Sequence, residues 1–444
     1  MKWLAYNLLF GAVWVLLLPG FLLRMARRGG YRARFLDRFA LYPHDVRQKF
    51  FAARRAQPGR AAMDASGHEI PPPSDFVWVH AVSVGEVQVA GQLMREWRAA
   101  EPGVRFCLST TSSTGWKAAE QELSCGDVLI YNPLDFPNYV KSALGTVRPR
   151  AVVLTESEIW PVFVRTARRR GIPVFLVNAR ISDRSAPRYR LARWWFKDVF
   201  GCFSRIFAQS RLDSDRLVAA GAPPGIIETT GSFKFDAAHR NEAKERELAG
   251  WLGPRNGPLL LGGSTWPGED EALLKIADAM PGVTLAIAPR HFEKADAVEA
   301  NIARHGFECI RRSRGDRPQG GSRRAVYLAD TTGELMGLYA LADVVFVGKS
   351  LCAHGSQNMI EPCLCGKPTV VGPYTENFRP VMSDLLAAGA VIQVADEEGL
   401  GRELARLLSD RAAAAALGAR AGETVLKRRG AVSRCVAEIR RSIH

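Results

Sequence analysis

The chain has 444 residues, of which 47% are apolar and 24% charged, and its formal net charge is +15. The composition is typical of globular proteins, and the length exceeds what one hydrophobic core usually serves, so two domains are expected. The positive charge favours anionic partners. Because the basic residues are scattered and no nucleic-acid-binding module is recognisable, we expect phosphorylated substrates or an anionic membrane surface rather than nucleic acid.

The first predicted element is an apolar helix over residues 3–23, which contain no charge. About 20 helical residues cross a hydrocarbon core of ~30 Å, although Pro19 leaves a tilted or partly interfacial helix open. A cleaved signal peptide is disfavoured because arginines follow instead of a small-residue cleavage site. By the positive-inside rule, these arginines predict a single N-terminal anchor (1–28) in the inner (cytoplasmic) membrane, with the remaining chain on the cytoplasmic face.

Residues 29–236 form the predicted N-terminal, acceptor-binding domain. Apolar runs alternate there with amphipathic segments, which indicates a parallel sheet with helices on both faces. The predicted strands are 76–79, 104–109, 128–131, 151–154, 174–178 and 205–208. The predicted helices are 87–100, 114–122, 137–147, 160–170 and 210–219.

A polar stretch at 236–247 is the predicted linker, and residues 237–444 form the predicted C-terminal domain. Its strands are predicted at 259–262, 284–288, 325–328, 344–347, 369–371 and 390–394. Helices at 402–408 and 411–417 close the domain, followed by a last helix at 432–443. The fold class is therefore α/β, and two Rossmann-like domains facing a central cleft indicate the glycosyltransferase-B (GT-B) architecture.

Two patterns typical of metal sites are weak in this chain. Of eight cysteines only Cys363 and Cys365 lie close in sequence, and C-x-C is not the usual zinc spacing, so we expect no disulfide and no cysteine-bound metal. Asp213 and Asp215 form a D-x-D sequence, but it lies inside an amphipathic helix, and a solvated helix face is the preferred interpretation.

Three acidic residues and one lysine follow strands of the first domain. Glu86 follows the first strand, Glu156 and Glu158 follow the fourth, and Lys234 precedes the linker. Ligands of open α/β sheets bind beyond the carboxyl ends of the strands, so Glu86 is a candidate general base. A single acid at a helix start more often caps the helix, but several such residues at one edge favour function.

The second domain has several candidate anion sites at strand ends. Glycines at 262–263 precede a helix that begins near Glu269, a geometry that cradles phosphate. Pro289 and Arg290 follow the next strand, and an arginine there can bind phosphate in a bidentate manner. Asp330 resembles an N-cap that leaves free N–H groups at 332–334.

Asn358 and Glu361 begin a later helix after a small-residue loop. Their spacing of three places both side chains on one helix face. A carboxylate at this position can accept hydrogen bonds from both hydroxyls of a ribose.

Taken together, these motifs resemble the 3-deoxy-D-manno-octulosonic acid (Kdo) transferases of lipopolysaccharide assembly. The resemblance covers most of the chain and rests on the N-terminal apolar segment and on ordered motifs. These motifs lie at 80–86, 109–111, 156–161, 178–184, 231–236, 288–291, 333–335 and 358–361.

The resemblance implies a membrane-anchored, metal-independent inverting transferase of GT-B fold without a cofactor, which moves Kdo from CMP-Kdo to a lipid A precursor (lipid IVA). Glu86 matches the family's proton acceptor, and Glu156 and Lys234 match residues that stabilise the transition state. The remaining matches imply CMP contacts at Pro289, Arg290, Thr332, Gly333, Glu334, Asn358, Met359, Ile360 and Glu361.

The chain departs from the family pattern in two places. Ser356, Gln357 and Met359 replace the usual Gly, His and Pro, while Trp266 replaces a frequent His and Lys349 a frequent Gly. Because Asn358 and Glu361 are retained, CMP binding is expected to persist.

Two alternatives remain open from the sequence. One is another GT-B enzyme that uses a UDP-sugar, either an epimerase or a transferase; the Glu86 motif and the anchor are not explained by it. The other is a non-enzymatic, membrane-tethered binding protein, which predicts that loss of Glu86 is tolerated.

Overall fold

The structure is a computed structural model that describes residues 2–28, 32–55, 62–63, 69–70, 74–237, 240–255, 257–317 and 324–443. The chain divides into two compact units. Unit 1 comprises residues 1–233 together with 430–444, and unit 2 comprises residues 234–429.

Unit 1 contains a seven-stranded parallel sheet with helices on both faces. Its helices before residue 234 are α1 Lys2–Arg28, α2 His44–Arg55, α3 Val84–Ala100, α4 Ser113–Glu120, α5 Pro137–Val147, α6 Pro161–Arg169, α7 Ala186–Leu191, α8 Arg193–Phe200 and α9 Arg211–Ala219. Its strands are a small antiparallel pair, β1 Ala62–Met63 and β2 Glu69–Ile70, and then β3 Phe76–His80, β4 Arg105–Thr110, β5 Val128–Tyr131, β6 Ala151–Thr155, β7 Val174–Ala179, β8 Arg205–Ala208 and β9 Ile227–Thr229.

The main sheet of unit 1 has the strand order β5-β4-β3-β6-β7-β8-β9. The chain therefore runs outward in one direction from β3 and in the other from β6, and the switch point lies between these two strands. Buried side chains alternate along β3: Phe76 and Trp78 pack into the core on one face, and Val77 and Val79 into the core on the other. This burial on both faces explains why the strands are nearly continuous apolar runs.

Unit 2 repeats the same plan. Its helices are α10 Glu242–Leu252, α11 Glu269–Ala279, α12 Ala295–Arg304, α13 Leu335–Leu341, α14 Ile360–Leu364, α15 Arg379–Ala387, α16 Glu397–Ser409 and α17 Arg411–Arg428. Its strands are β10 Leu259–Thr265, β11 Thr284–Pro289, β12 Glu308–Arg311, β13 Ala325–Leu328, β14 Val344–Val347, β15 Thr369–Val371 and β16 Ile392–Gln393. The order β12-β13-β11-β10-β14-β15-β16 puts its switch point between β10 and β14.

The C-terminal helix α18 (Ala431–Ile443) packs on unit 1, which corrects the predicted second-domain extent of 237–444. Its apolar stripe, with Val432, Cys435 and Ile439, enters the same core as α3. Arg434 donates to the carbonyl of Thr230 over 2.6 Å. An amphipathic pattern predicts that a helix needs an apolar surface but not which surface it covers, so the sequence alone could not assign this helix.

Candidate active site

Glu86 lies in the first turn of α3, beyond β3 at the switch point of unit 1. Ser83 caps the helix, because its hydroxyl accepts the N–H of Glu86 over 3.3 Å. The Glu86 carboxylate in turn accepts the N–H of Val82 over 2.8 Å and the hydroxyl of Ser83 over 3.0 Å. This reciprocal capping box fixes the carboxylate in one orientation. Each oxygen keeps a further acceptor site, so the capping contacts leave room for a substrate hydroxyl.

The turn that carries Glu86 is itself held by the neighbouring strand end. The carbonyl of Val82 accepts the hydroxyls of Thr110 over 3.2 Å and Ser112 over 2.8 Å. The packing leaves no room for a larger residue at Gly115, where a Cβ would lie 2.7 Å from the Val82 oxygen. The backbone beneath Glu86 is therefore rigidly seated before any ligand arrives.

Glu156 directly follows β6, and Asn178 is the penultimate residue of β7. Both have backbones in the left-handed region, with φ angles of 54° and 53°. Non-glycine residues pay about 1–3 kcal/mol for such conformations, which concentrate at functional sites. The Glu156 carboxylate is paired with Arg180 over 2.8 Å and lies 3.4 Å from the Asn178 amide. Asn178 also accepts the N–H of Phe233 over 3.1 Å, so it joins the Glu156 region to the end of unit 1.

Glu158 is a third carboxylate at the same edge of the sheet. Burial, together with the negative charges of Glu86 and Glu156, raises the pKa of Glu158 to about 7, against the lowering effect of a hydrogen bond from Trp160. The protonated form of Glu158 is therefore favoured relative to that of a solvent-exposed glutamate. Its neighbours add charge to this edge, an arrangement of coupled acids that is common in catalytic sites.

In unit 2 the strand ends at the switch point are also strained. Ser264 in β10 and Lys349 after β14 both have a φ of 54°, and Ser356 has a φ of 60°. The two strand ends approach closely, because the N–H of Gly348 bonds to the carbonyl of Gly263 over 2.9 Å. A Cβ atom at position 348 would lie 2.4 Å from the backbone carbonyl oxygen of Ser264, so only glycine fits there.

Glu269, the first residue of α11, holds these loops together. Its side chain is fully buried, and one carboxylate oxygen accepts the N–H groups of Trp266 over 2.7 Å and Lys349 over 2.8 Å. The other oxygen accepts those of Ser350 and Leu351, each over 3.0 Å. The sequence predicted only that a helix begins near Glu269. Its hydrogen bonds to residues about 80 positions away could not be predicted from the local sequence, which shows only an acid in the first helical turn.

Arg290 follows β11 and is exposed, while Pro289 is half-buried. The N–H of Arg290 bonds to the Thr265 carbonyl over 3.0 Å, which places the arginine beside the end of β10. Among the residues that the structure describes, its guanidinium forms no ion pair. This side chain is thus available for an anion.

Two of the departures from the family pattern are in contact with each other. The Lys349 ammonium lies 4.9 Å from the centre of the Trp266 ring, and the Trp266 and His291 rings are 4.9 Å apart. A cation above a tryptophan ring is attracted to the electron-rich ring face in a cation–π interaction. The lysine and the tryptophan therefore form an interacting pair at the switch point of unit 2.

Thr332 and Gly333 are exposed in the turn before α13, and Glu334 is buried at its N-cap. Burial favours the neutral form of Glu334, but hydrogen bonds from Arg312 and Thr331 outweigh it and lower its pKa. The Glu334 carboxylate is thus committed to Arg312, over 2.9 Å, so this turn would meet a ligand through its backbone and the exposed Thr332 rather than through that carboxylate.

Asn358 and Glu361 contact each other as their spacing predicts. The Asn358 amide donates to the Glu361 carboxylate over 3.0 Å, and burial raises the pKa of Glu361. The Met359 and Ile360 side chains are fully buried in the core of unit 2. Only their backbone atoms can therefore contact a ligand.

Lys234 is the first residue of unit 2 and lies in a 3₁₀ turn, Phe233–Phe235. Its ammonium lies 4.4 Å from the centre of the Phe378 ring. The lysine is thus held near the loop that follows β15.

The D-x-D residues are confirmed to lie in a helix, α9, but they are not both solvated. Asp213 is buried, and its carboxylate accepts the N–H of Ile181 over 3.1 Å and the hydroxyl of Ser210. Asp215 is the exposed member and pairs with Arg211. Within the described ranges, no group of three or more His, Cys, Asp or Glu side chains could hold a metal ion.

The structure thus gathers Glu86, Glu156 and Glu158 at the carboxyl edge of the unit 1 sheet. In unit 2, the carboxyl edge of the sheet carries Pro289, Arg290, the 332–334 turn and the 358–361 segment. These residues share one edge because the strands of each main sheet are parallel. Each set surrounds a switch point, where open α/β sheets bind ligands.

Solved structures with this architecture include the UDP-GlcNAc 2-epimerase from Neisseria meningitidis bound to UDP-GlcNAc. It has a TM-score of 0.53 and 16% identity, and the match covers 79% of this chain and 100% of that chain. The glycosyltransferase of kitacinnamycin has a TM-score of 0.52 and 16% identity, with coverages of 84% and 99%. A structure of the C-terminal CMP-Kdo binding domain of WaaA from Acinetobacter baumannii covers 42% of this chain at 29% identity, with a TM-score of 0.39. The two likenesses with TM-scores above 0.5 define the class: the predicted GT-B fold is confirmed.

Sequence comparison identifies the family within this class. Residues 34–237 match the family model described as 3-deoxy-D-manno-octulosonic-acid transferase (kdotransferase). The chain is 36% identical over 337 residues to the 3-deoxy-D-manno-octulosonic acid transferase of Bordetella pertussis, covering 72% of this chain and 76% of the relative. It is 31% identical over 369 residues to that of Haemophilus influenzae, covering 82% and 86%. The chain belongs to the Kdo transferase family and is a glycosyltransferase, as its motifs predicted.

Proposed function

We propose that this Kdo transferase takes Kdo from CMP-Kdo and adds it to a lipid A precursor, lipid IVA, at the cytoplasmic face of the inner membrane. The observation that carries the proposal is the Glu86 carboxylate, fixed by a capping box at the switch point of unit 1. A rigid carboxylate beside a ligand-binding edge suits a general base.

In the proposed reaction, Glu86 removes the proton from a sugar hydroxyl of the acceptor. The hydroxyl oxygen attacks the anomeric carbon of Kdo, and CMP leaves from the opposite face with inversion. A positioned base contributes roughly 10²–10⁴ in rate. Glu156 is held by Arg180 and by the strained β6 end, and it would stabilise charge that develops at the sugar.

Unit 2 would bind the donor. The exposed Arg290 and the backbone of the 332–334 turn would meet the phosphate, whose negative charge grows as CMP departs, and Lys234 would add a further positive charge. Glu361, hydrogen-bonded to Asn358, would accept the ribose hydroxyls. This assignment requires no metal and no cofactor.

The substrates match the charge of the protein. CMP-Kdo carries a phosphate and a carboxylate, and lipid A precursors carry phosphates, while the chain has a net charge of +15. Helix α1 includes a 19-residue stretch, Lys2–Gly20, that is long and apolar enough to cross a membrane by length and composition. A membrane-bound enzyme would meet its lipid acceptor at the bilayer surface.

The direct test is incubation of the purified full-length protein with CMP-Kdo and a tetraacylated lipid A precursor, followed by mass spectrometry. We expect products heavier by one or more Kdo units, and the spectrum counts them. Absence of any such product, with acceptor and donor recovered intact, would overturn the proposal.

A thermal-shift measurement tests the donor separately. CMP should raise the unfolding temperature, because a ligand that binds only the folded state stabilises by about 2.7 kcal/mol at one hundred times its Kd. UDP at the same concentration is the control. A larger shift with UDP than with CMP would favour the UDP-sugar alternative.

A further inference from the structure

Helix α1 packs along unit 1 through one stripe of aromatic residues. These side chains recur every three or four residues, so they share one face of the helix. The ring pairs, with centroid distances, are Trp3–Trp195 at 4.7 Å, Tyr6–Trp195 at 5.3 Å, Phe10–Phe136 at 5.1 Å and Trp14–Phe136 at 6.2 Å. At 1.5 Å per residue, this stripe runs along roughly 17 Å of the protein surface.

Polar contacts hold the amino end of α1 to the same surface. The Tyr6 hydroxyl donates to Asp135 over 2.9 Å, and Lys2 pairs with Asp198 over 3.2 Å. Asp135 is fully buried and also accepts the N–H groups of Val162 and Phe163 at the start of α6, so it belongs to the body of unit 1. These contacts are incompatible with a helix whose amino end lies across a ~30 Å hydrocarbon core from the folded body.

The opposite face of α1 is apolar and exposed. The side chains there are uncharged and most are more than 60% exposed. The large ones are Leu4, Leu8, Leu9, Val15 and Leu16. An exposed apolar patch of this size on a folded unit marks an interaction surface.

The surface continues from α1 onto α7 and α8. Leu191 is 86% exposed and Trp194 is 63% exposed, and the Lys2 ammonium lies 3.5 Å from the Trp194 carbonyl. Exposed Arg190 and Arg193 flank these apolar residues. Apolar side chains between basic ones match an anionic bilayer, where each basic residue adds about 1 kcal/mol near the surface.

We propose that α1 lies in the plane of an anionic membrane rather than across it. Its aromatic stripe binds unit 1, its leucine-rich face enters the headgroup and acyl boundary, and Leu191 and Trp194 extend the contact. We call this leucine-rich face with Leu191 and Trp194 the lipid-facing surface. The inference refines the membrane association proposed above and is independent of the donor chemistry.

Spin labels on the exposed face distinguish the two orientations. Ala5, Ala12 and Leu16 point the same way on the helix and are all exposed. Each would be replaced by cysteine (Ala5→Cys, Ala12→Cys, Leu16→Cys) in a full-length chain whose exposed Cys125 and Cys352 are changed to serine. Label depth in phosphatidylglycerol-containing vesicles would then be measured from collisions with oxygen and with a water-soluble nickel complex.

The in-plane helix predicts similar depths for all three labels, roughly 5–10 Å below the headgroups. A crossing helix predicts depths that differ by roughly 17 Å between residues 5 and 16, because each residue rises 1.5 Å. Such a gradient would overturn the in-plane orientation but leave membrane association intact. Labels that stay in water with vesicles present would overturn both, and CMP binding by the same protein reports separately on the donor site.

The α7–α8 part of the lipid-facing surface has its own test. The double variant Leu191→Glu with Trp194→Glu should weaken binding to anionic vesicles at least tenfold. The matched control is Leu426→Glu, a leucine of α17 that is 58% exposed, which should leave vesicle binding unchanged. Equal binding by the double variant and the control would remove α7 and α8 from this surface.

Discussion

Replacing Glu269 by glutamine should disrupt unit 2 at its switch point. The two side chains have the same size, but the amide nitrogen of glutamine cannot accept hydrogen bonds. Whichever carboxylate oxygen it replaces, at least two backbone N–H groups lose their acceptor: those of Trp266 and Lys349, or those of Ser350, Leu351 and Cys352. Hydrogen bonds to charged groups contribute about 1.5–3 kcal/mol each, so we expect a loss of roughly 3–6 kcal/mol.

Urea denaturation at low temperature, followed by tryptophan fluorescence, would measure this loss. Trp251 is buried in the core of unit 2 and would report its unfolding. CMP affinity should fall in parallel, because the 349–351 loop loses the acceptor that shapes it. The matched control is Glu271→Gln in the same helix. The half-exposed Glu271 carboxylate lies 3.4 Å from Arg304, and its replacement should change stability by less than about 0.5 kcal/mol. Equal stability and CMP affinity for Glu269→Gln and Glu271→Gln would refute the reasoning.

Three further predictions follow from the strand ends. Because burial and nearby acids raise the folded-state pKa of Glu158 to about 7, the contribution of this residue to folding stability should fall as pH rises from about 4.5 to 7. Glu158→Gln should remove up to about 3 kcal/mol of that fall. Free energies of unfolding from urea denaturation that change in parallel with pH for the variant and the unaltered protein would contradict this prediction. Lys349→Met should lower the free energy of unfolding by about 0.5–1 kcal/mol, because it removes the cation from the Trp266 ring. Lys349→Gly should leave stability nearly unchanged, because glycine adopts the left-handed backbone conformation of this position without strain. Calorimetry that finds the glycine variant less stable than the methionine variant would contradict this prediction. Gly115→Ala should displace the backbone beneath Glu86 and lower stability by about 1–3 kcal/mol, measured as a lower unfolding temperature, and an unchanged temperature would mean that this packing is loose.

Most strands of the two main sheets could be predicted from the sequence because their residues are buried and form short apolar runs. Five of the predicted strands, including 128–131 and 344–347, have the bounds of the structure. The strands β9 and β12 were missed because partly exposed polar residues such as Glu228 and Glu308 interrupt their apolar pattern. The edge strand β5 is buried throughout and was predicted.

At the candidate site, the sequence predicted the grouping of those side chains that follow the ends of strands. Residues that follow parallel strands must share one edge of a sheet, so the grouping of Glu86 with Glu156 followed from the pattern alone. The sequence also allowed that Glu86 is an acid that caps its helix, and in the structure Glu86 does take part in the capping of α3. The role of Glu269 and the contact of Lys349 with Trp266 could not be predicted, because both depend on which loops meet at the switch point of unit 2.

The most direct test of the central claim is single-turnover Kdo transfer by Glu86→Gln, measured beside the CMP affinity of the same variant. Glutamine keeps the size of the side chain and an acceptor for the Val82 N–H but cannot take a proton. We predict that transfer slows by roughly 10²–10⁴ while CMP binds as it does to the unaltered protein. Transfer at a near-normal rate with CMP bound would show that another group deprotonates the acceptor.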